Sequence, residues 1–253
     1  MKKRRWFSLF LSFALLLPLF SLTSADAYED FDLDAKAGLL IEADTGEILY
    51  EKNAHQENFP ASLTKVMVAL LVFEAIDEGK IALTDSVTAT ESAFEGLSSD
   101  GSTANIVPGE TMTVEQLLNC MLIVSANEAC NILGETLYGS VDAFVARMNE
   151  RATELGCEHT HFANATGLHN SQHYTTAWDL YLITREAMKH DKFMEICNSK
   201  SYTVPTTNMT DKPRELHSTN FLISNWRARG YVYRDAQGIK TGSTPEAGYC
   251  LIS

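Results

Sequence analysis

The sequence predicts an α+β fold, an antiparallel sheet whose elements are separated along the chain by an inserted helical block. Three patterns carry this prediction. Hairpin-like alternation occupies residues 37–51, helical periodicity with capping residues recurs from about 61 to 190, and short strand-like runs return after Ser199.

Each element has a local reason. Residues 37–42 are apolar, Asp44-Thr45-Gly46 is a turn signal, and residues 47–51 alternate again, which reads as a β-hairpin. Asn58-Phe59-Pro60 breaks the chain. Residues 61–77 then read as a helix, because Val66, Ala69, Leu70, Phe73 and Ile76 recur at three- and four-residue steps and Gly79 supplies a stop. Residues 80–110 contain Gly96, Gly101, Pro108 and Gly109 and read as loop with one or two short strands. Thr113 opens the next helix, with Gln116 placed for a capping box and Val114, Leu117, Leu118, Met121 and Leu122 on one face. The chain turns at Ser125, a helix follows from about Asn127 to Tyr138, and Ser140 caps another that ends at Gly156. A polar loop with Asn164, Gly167 and several histidines leads to Thr176 and Asp179, which open a helix running to about His190. Residues 202–204, 216–223 and 231–233 read as short strands or extended segments. Residues 237–241 and 249–252 read as a β-pair joined by 242–248.

The N-terminus reads as a targeting segment. Lys2, Lys3, Arg4 and Arg5 precede an apolar run from Trp6 to Leu22, and Ala25-Asp26-Ala27 has the small-x-small pattern of a cleavage site. Residues 1–27 are therefore expected to be a signal peptide, cut after Ala27 with Ala25 as the second choice. An uncleaved anchor is the alternative, disfavoured because Ser8, Ser12, Pro18 and Ser21 interrupt a run that is short for a membrane span. Residues 28–253 are expected to form one large exported domain. The whole chain carries 20 Lys+Arg and 33 Asp+Glu; without four basic residues and Asp26 the remainder holds 16 against 32. An acidic balance of that size argues against nucleic-acid binding, which needs a basic footprint. The 5 cysteines are Cys120, Cys130, Cys157, Cys197 and Cys250. None forms a Cys-x-x-Cys pair, so they are read as small buried apolar residues, with one disulfide permitted by export but not identifiable.

Three short motifs carry chemistry. Ser62 and Lys65, three residues apart at the start of a predicted helix, project from one face. A serine in a first turn sits among N–H groups without intrahelical acceptors, which favours an alkoxide and supplies an oxyanion donor. A lysine is a poor base at its free pKa of roughly 10.4. Burial and a second cation would lower that value, and Lys240 is the candidate cation. Ser-x-Asn occurs twice, as Ser125-Ala126-Asn127 and Ser218-Thr219-Asn220. The first is preferred because it interrupts two helices: Ser125 could relay a proton to a leaving group and Asn127 could hold the lysine or a substrate carbonyl. Lys240-Thr241-Gly242 ends a predicted strand; the lysine and hydroxyl can bind a carboxylate, Gly242 admits a substrate backbone, and the Ser243 N–H is a second oxyanion donor. Taken singly, each motif is an ordinary cap or turn; their order along the chain is what makes them informative. His159-Thr160-His161 and His169-x-x-x-His173 have ligand-like spacing, but no His-Glu-x-x-His accompanies them. They are read as loop residues with structural hydrogen bonds, and no metal or cofactor is expected.

The trio is a known signature of penicillin-binding proteins and serine β-lactamases. Pro60-Ala61-Ser62-Leu63-Thr64-Lys65, Asn164-Ala165-Thr166-Gly167-Leu168, His173-Tyr174-Thr175-Thr176-Ala177 and Lys240-Thr241-Gly242-Ser243-Thr244 through Ala247-Gly248-Tyr249-Cys250-Leu251 together resemble the low-molecular-mass penicillin-binding proteins that are serine-type D-alanyl-D-alanine carboxypeptidases. The resemblance runs from about Ala37 to Ser253. It implies a β-lactamase/transpeptidase-like fold with Ser62 as nucleophile, Lys65 as proton acceptor and Ser125 as partner hydroxyl. Asn127, Lys240, Thr241 and Ser243 would contact substrate, Lys240 and Thr241 through its carboxylate. It further implies removal of the terminal D-alanine from peptidoglycan stem pentapeptides in the bacterial cell envelope, outside the cytoplasmic membrane, and acylation of Ser62 by β-lactam antibiotics. Ser243 stands where some relatives have histidine. The chain ends at Ser253 inside an apparent strand and is expected to be truncated, without the family's last sheet strands, second β-rich domain and C-terminal membrane anchor. A β-lactamase is the nearest enzyme alternative, but residues 158–179 contain no Glu-x-x-x-Asn. A non-catalytic wall-peptide binding or sensor module is the other alternative, and it would not need Ser62 with Lys65.

Overall fold

The computed structural model describes residues 33–253. The predicted signal peptide lies outside the described residues. The segment Lys36–Ser253 forms one folding unit. It begins with the antiparallel hairpin β1 (Gly38–Ile41) and β2 (Ile48–Lys52), whose register slips between Leu40 and Ile41. A 3-10 turn at Ala61–Thr64 runs directly into helix α1 (Lys65–Asp77). Strands β3 (Ser86–Thr88) and β4 (Thr111–Thr113) pair across the loop-rich stretch. Helices α2 (Val114–Ile123), α3 (Asn127–Tyr138), α4 (Val141–Glu154), α5 (Ala177–Ala187) and α6 (Asp191–Cys197) follow. The chain returns as two antiparallel hairpins, β5 (Ser201–Val204) with β6 (Arg214–His217) and β7 (Lys240–Thr244) with β8 (Gly248–Ile252).

The expected class is present, with corrections in detail. The described strands form four two-stranded ladders rather than one hydrogen-bonded sheet. The strand expected over 216–223 is β6, shifted toward Arg214, because Asn220 uses its side chain to organise a turn at Leu222 instead of continuing the ladder. Residues 231–233 pair in no strand. The helix expected to reach His190 ends near Ala187, and α6, which local sequence signals do not separate from it, follows at once.

Helix α1 is the centre of the core. Residues Val66 to Phe73 are each no more than 3% exposed, so the helix is buried on all sides rather than on the single stripe its periodicity suggests. Each large side chain there contributes about 1.5–3 kcal/mol of apolar burial. Capping matches the sequence reading. Thr113 and Gln116 form a reciprocal capping box, and Ser140 and Thr176 accept from the N–H groups of Ala143 and Asp179. The buried Asp179 carboxylate accepts from His159 N–H at 2.9 Å and Thr160 Oγ1 at 2.7 Å, tying the 159–175 loop to α5. All five cysteines are free, and Cys120, Cys130, Cys157 and Cys197 are buried. Among the described residues no helix is long and apolar enough to cross a membrane.

One buried ion pair joins the β5–β6 hairpin to the core. Glu110, with a side chain 0% exposed, accepts from Arg214 and from Thr207 Oγ1 at 2.7 Å. Glu110→Ala would leave the largely buried Arg214 guanidinium without its carboxylate, keeping only the Ala104 carbonyl at 3.4 Å and Met112 Sδ at 4.0 Å. Urea unfolding is expected to show a loss on the order of 3 kcal/mol.

Candidate active site

Pro60 precedes the 3-10 turn with φ −76°, and the turn brings Ser62 and Lys65 to the buried end of α1. Ala61 holds a left-handed φ of +48°, costly for a residue with a Cβ. Two glycines bracket the Ala61–Ser62 peptide: a Cβ on Gly167 would lie 1.9 Å from the Ala61 carbonyl oxygen, and one on Gly242 would lie 2.8 Å from Ser62 N. The Ser62 turn is therefore pressed between the 159–175 loop and β7, and only glycine allows that approach.

Lys65 is 0% exposed, and its Nζ has three neighbours: Ser62 Oγ at 3.0 Å, Asn127 Oδ1 at 2.8 Å and the Thr166 carbonyl at 2.6 Å. The amide and peptide oxygens only accept, so they take two N–H groups. The remaining tetrahedral position faces Ser62 Oγ. A neutral amine would present its lone pair there, ready to accept the Ser62 proton. Burial pushes the Lys65 pKa down from its ordinary 10.5, opposed by Cys130 and Glu128. The sequence leads one to expect Lys240 to share in this, and the repulsion between the two buried amines, which is mutual, disfavours both being charged at once.

Ser125 sits in the α2–α3 connection with a φ of +67°. The Ala126 N–H donates to the Cys120 carbonyl at 3.0 Å and the Asn127 N–H to the Ser102 carbonyl at 2.9 Å, which fixes this turn. Ser125 Oγ accepts from Lys240 Nζ at 3.0 Å. Lys240, 1% exposed, also donates to the Thr241 carbonyl at 2.8 Å. Burial and then the Lys65 amine bring its pKa down to about 7. Thr241 is half-buried, and Ser243, on the same face of β7 by strand alternation, is exposed. The predicted residues thus form two hydrogen-bonded groups, Ser62–Lys65–Asn127 and Ser125–Lys240, joined through the 125–127 turn, with Thr241 and Ser243 on the flanking strand.

Three further groups carry no assignment from the sequence. The Thr166 carbonyl is aimed by Asn164, whose Oδ1 accepts from the N–H groups of Thr166 and Gly167 at 3.1 and 2.8 Å. Asn164-Ala165-Thr166-Gly167-Leu168 is legible as a family segment, but a backbone carbonyl leaves no residue-type signal. Thr219, in the disfavoured second Ser-x-Asn, shares a 2.6 Å hydrogen bond with Thr241 Oγ1, so both copies of that motif reach the site. Glu128 is buried and accepts from Thr103 Oγ1 at 2.7 Å and Ala104 N–H at 2.8 Å, clamping residues 103–104 onto α3 beside Asn127. The histidines have separate partners: His159 faces Glu57, His161 the Gln172 carbonyl, His169 the edge of Phe59, and His173 Thr64.

Burial of these groups ties stability to pH. Lys65 and Lys240 hold protons less tightly when folded than at the ordinary 10.5, so between about 7 and 10.5 the unfolded chain binds more protons and stability rises with pH. Buried thiols act oppositely. Cys120 and Cys197 are pushed up to about 12 and Cys130 to about 11, whereas unfolded thiols ionise near 9.0. Above that value the folded chain binds more protons and stability falls. Urea midpoints measured under reducing conditions are expected to rise from pH 7 to 9 and drop by pH 11.

A serine in a tight turn beside a buried lysine at a helix start, with a second buried lysine on a nearby strand, is an arrangement that suits serine-dependent acyl transfer. Comparison with known proteins agrees. A profile of the D-alanyl-D-alanine carboxypeptidase family matches residues 23–253, and the chain belongs to that family. The D-alanyl-D-alanine carboxypeptidase DacF of Bacillus subtilis (strain 168) is 40% identical over 220 residues, 87% of this chain and 54% of that protein. The D-alanyl-D-alanine carboxypeptidase of Streptomyces sp. (strain K15) is 32% identical over 241 residues, 91% of this chain and 79% of that one. The crystal structure of the Streptomyces K15 DD-transpeptidase superposes with a TM-score of 0.78 at 32% identity, covering 88% of this chain and 86% of the other. The chain spans about half the length of several relatives, including DacF and the Escherichia coli protein DacC, of which it covers 53%.

Proposed function

We propose that this protein is an exported serine-type D-alanyl-D-alanine carboxypeptidase that removes the terminal D-alanine of peptidoglycan stem pentapeptides through an acyl-enzyme at Ser62. The observation that carries the reading is the setting of Lys65 Nζ, whose bonds to Asn127 Oδ1 and the Thr166 carbonyl leave one direction, toward Ser62 Oγ, for the Ser62 proton. Lys65 takes that proton as Oγ attacks the penultimate D-alanine carbonyl. The N–H groups of Ser62 and Ser243 hold the oxyanion. Lys240 and Thr241 bind the terminal carboxylate and Asn127 a substrate carbonyl. Ser125 passes the proton from Lys65 to the leaving amine, and D-alanine departs. Water, deprotonated by Lys65, then attacks the ester, and the proton returns to Ser62 Oγ. No cofactor is required.

The same serine is expected to open the ring of β-lactams, which mimic the D-alanyl-D-alanine end. Release should be slow, because residues 158–179 contain no Glu-x-x-x-Asn to supply a carboxylate for deacylation. Residues 1–27 are read as a cleaved signal peptide, which places the catalytic body in the bacterial envelope, outside the cytoplasmic membrane.

The test is labelling of the intact protein with a fluorescent penicillin, together with D-alanine release from a pentapeptide ending in D-Ala-D-Ala. Label that survives denaturation, disappears in Ser62→Ala and accompanies D-alanine release supports the reading. Equal labelling of Ser62→Ala would remove the nucleophile. Sustained cephalosporin turnover would make the protein a β-lactamase, and absence of any label would leave a binding module.

A further inference from the structure

We propose that His173 is a positioning residue for acylation, holding the Ala61–Ser62 peptide plane through the hydroxyl of Thr64; this rests on the acyl-enzyme reading above. His173 is 2% exposed and lies on the 159–175 loop, packed edge-on against Phe162. The Ala163 N–H donates to its Nδ1 at 3.1 Å. Nδ1 is therefore an acceptor, and in the neutral ring the proton must sit on Nε2. Nε2 lies 2.8 Å from Thr64 Oγ1 and so donates to it. The Thr64 hydroxyl, with its oxygen accepting from the ring, sends its own proton to the Ala61 carbonyl oxygen at 2.8 Å. The direction of each bond is thereby set: with the Thr64 hydroxyl donating to Nε2 instead, Nδ1–H would face the Ala163 N–H and the Ala61 carbonyl would lose its donor.

The consequence follows from peptide planarity. The Ala61 C=O and the Ser62 N–H belong to one rigid trans unit and point in opposite directions. Holding the carbonyl fixes the direction of the Ser62 N–H, the proposed oxyanion donor, and the starting point of the Ser62 side chain. Ala61 is at a φ of +48°, so the unit needs an external restraint to stay in this sparsely populated conformation. Gly167 and Gly242 confine it by contact, and the His173–Thr64 relay supplies the directional bond. The ring stays neutral because burial, with smaller contributions from His161, Lys65 and His169, brings its pKa down to about 4.

The experiment separates the limiting acylation rate from the saturation constant of a fluorescent penicillin, alongside the melting temperature of each variant. His173→Leu removes both ring contacts and is expected to lower the limiting rate roughly tenfold or more, as misplacement of reacting groups does. The saturation constant should stay within about twofold, because Lys240 and Thr241 are untouched. His173→Gln offers an N–H toward Thr64 and an oxygen toward the Ala163 N–H, and is expected to recover most of the rate. Thr64→Val breaks the relay from the other end, and adding His173→Leu to it should cost little more. A folded His173→Leu or Thr64→Val protein with the parent limiting rate would overturn the proposal, as would additive losses in the double variant. If His173→Leu does not fold, Thr64→Val alone decides by the same rate. Failure of the unsubstituted protein to label at Ser62 would instead sink the acyl-enzyme reading beneath it.

Discussion

Lys65→Met is expected to lower the rate of Ser62 acylation by roughly 10³-fold, within the range that general-base groups contribute. The thioether has neither the lone-pair basicity to take the Ser62 proton nor an N–H for Asn127 Oδ1 and the Thr166 carbonyl, which Nζ now reaches at 2.8 and 2.6 Å. Lys65→Arg makes the comparison sharper. It keeps a cation and several donors, but a guanidinium does not deprotonate in proteins. If the lysine serves as a base, the arginine variant should be as slow as the methionine variant. If it serves only as a fixed charge, arginine should retain much of the rate. Stopped-flow labelling of both variants decides this, with circular dichroism to show that each is folded. An arginine variant within tenfold of the parent would remove the base role.

Gly167→Ala is expected to be the most damaging single methyl addition in the described structure. Its Cβ would fall 1.9 Å from the Ala61 carbonyl oxygen, and Gly167 sits at a φ of +85°. Neither neighbour is a flexible side-chain end, so the Ser62 turn itself must move. A loss on the order of 4 kcal/mol in urea unfolding is expected, with acylation lost in whatever protein remains folded. Gly79→Ala is the control. Gly79 has a φ of +70° with nothing within 4 Å of the added carbon, so only the backbone cost of about 1 kcal/mol applies. Equal losses at the two positions would show that the clash at Gly167 relaxes freely and that the Ser62 turn is not clamped.

Side chains with distinctive chemistry at short spacing are legible in the amino-acid order itself. Ser62 and Lys65 lie one turn apart on one helix start, so their proximity is a local property. Thr113 with Gln116 forms the expected capping box for the same reason. The breadth of burial around α1 is not legible, because periodicity records one buried face and cannot show that α3 and α5 also cover the others. The boundary between α5 and α6 is hidden because no Gly or Pro marks it. Thr166 and Thr219 escape assignment because one acts through a peptide carbonyl and the other through a partner 22 residues away.

The chain alone determined which groups are available and in what order: a hydroxyl with an amine three residues on, a second hydroxyl and amide between two helices, and a lysine on a late strand. Only the tertiary structure decided that Lys65 meets Asn127 across 62 positions, that Lys240 meets Ser125 across 115, and that the Thr166 carbonyl completes the set. The reason is physical. Local spacing sets which side chains share a turn, whereas the protonation and direction of a buried amine depend on the dry surroundings and acceptors that distant segments bring to it.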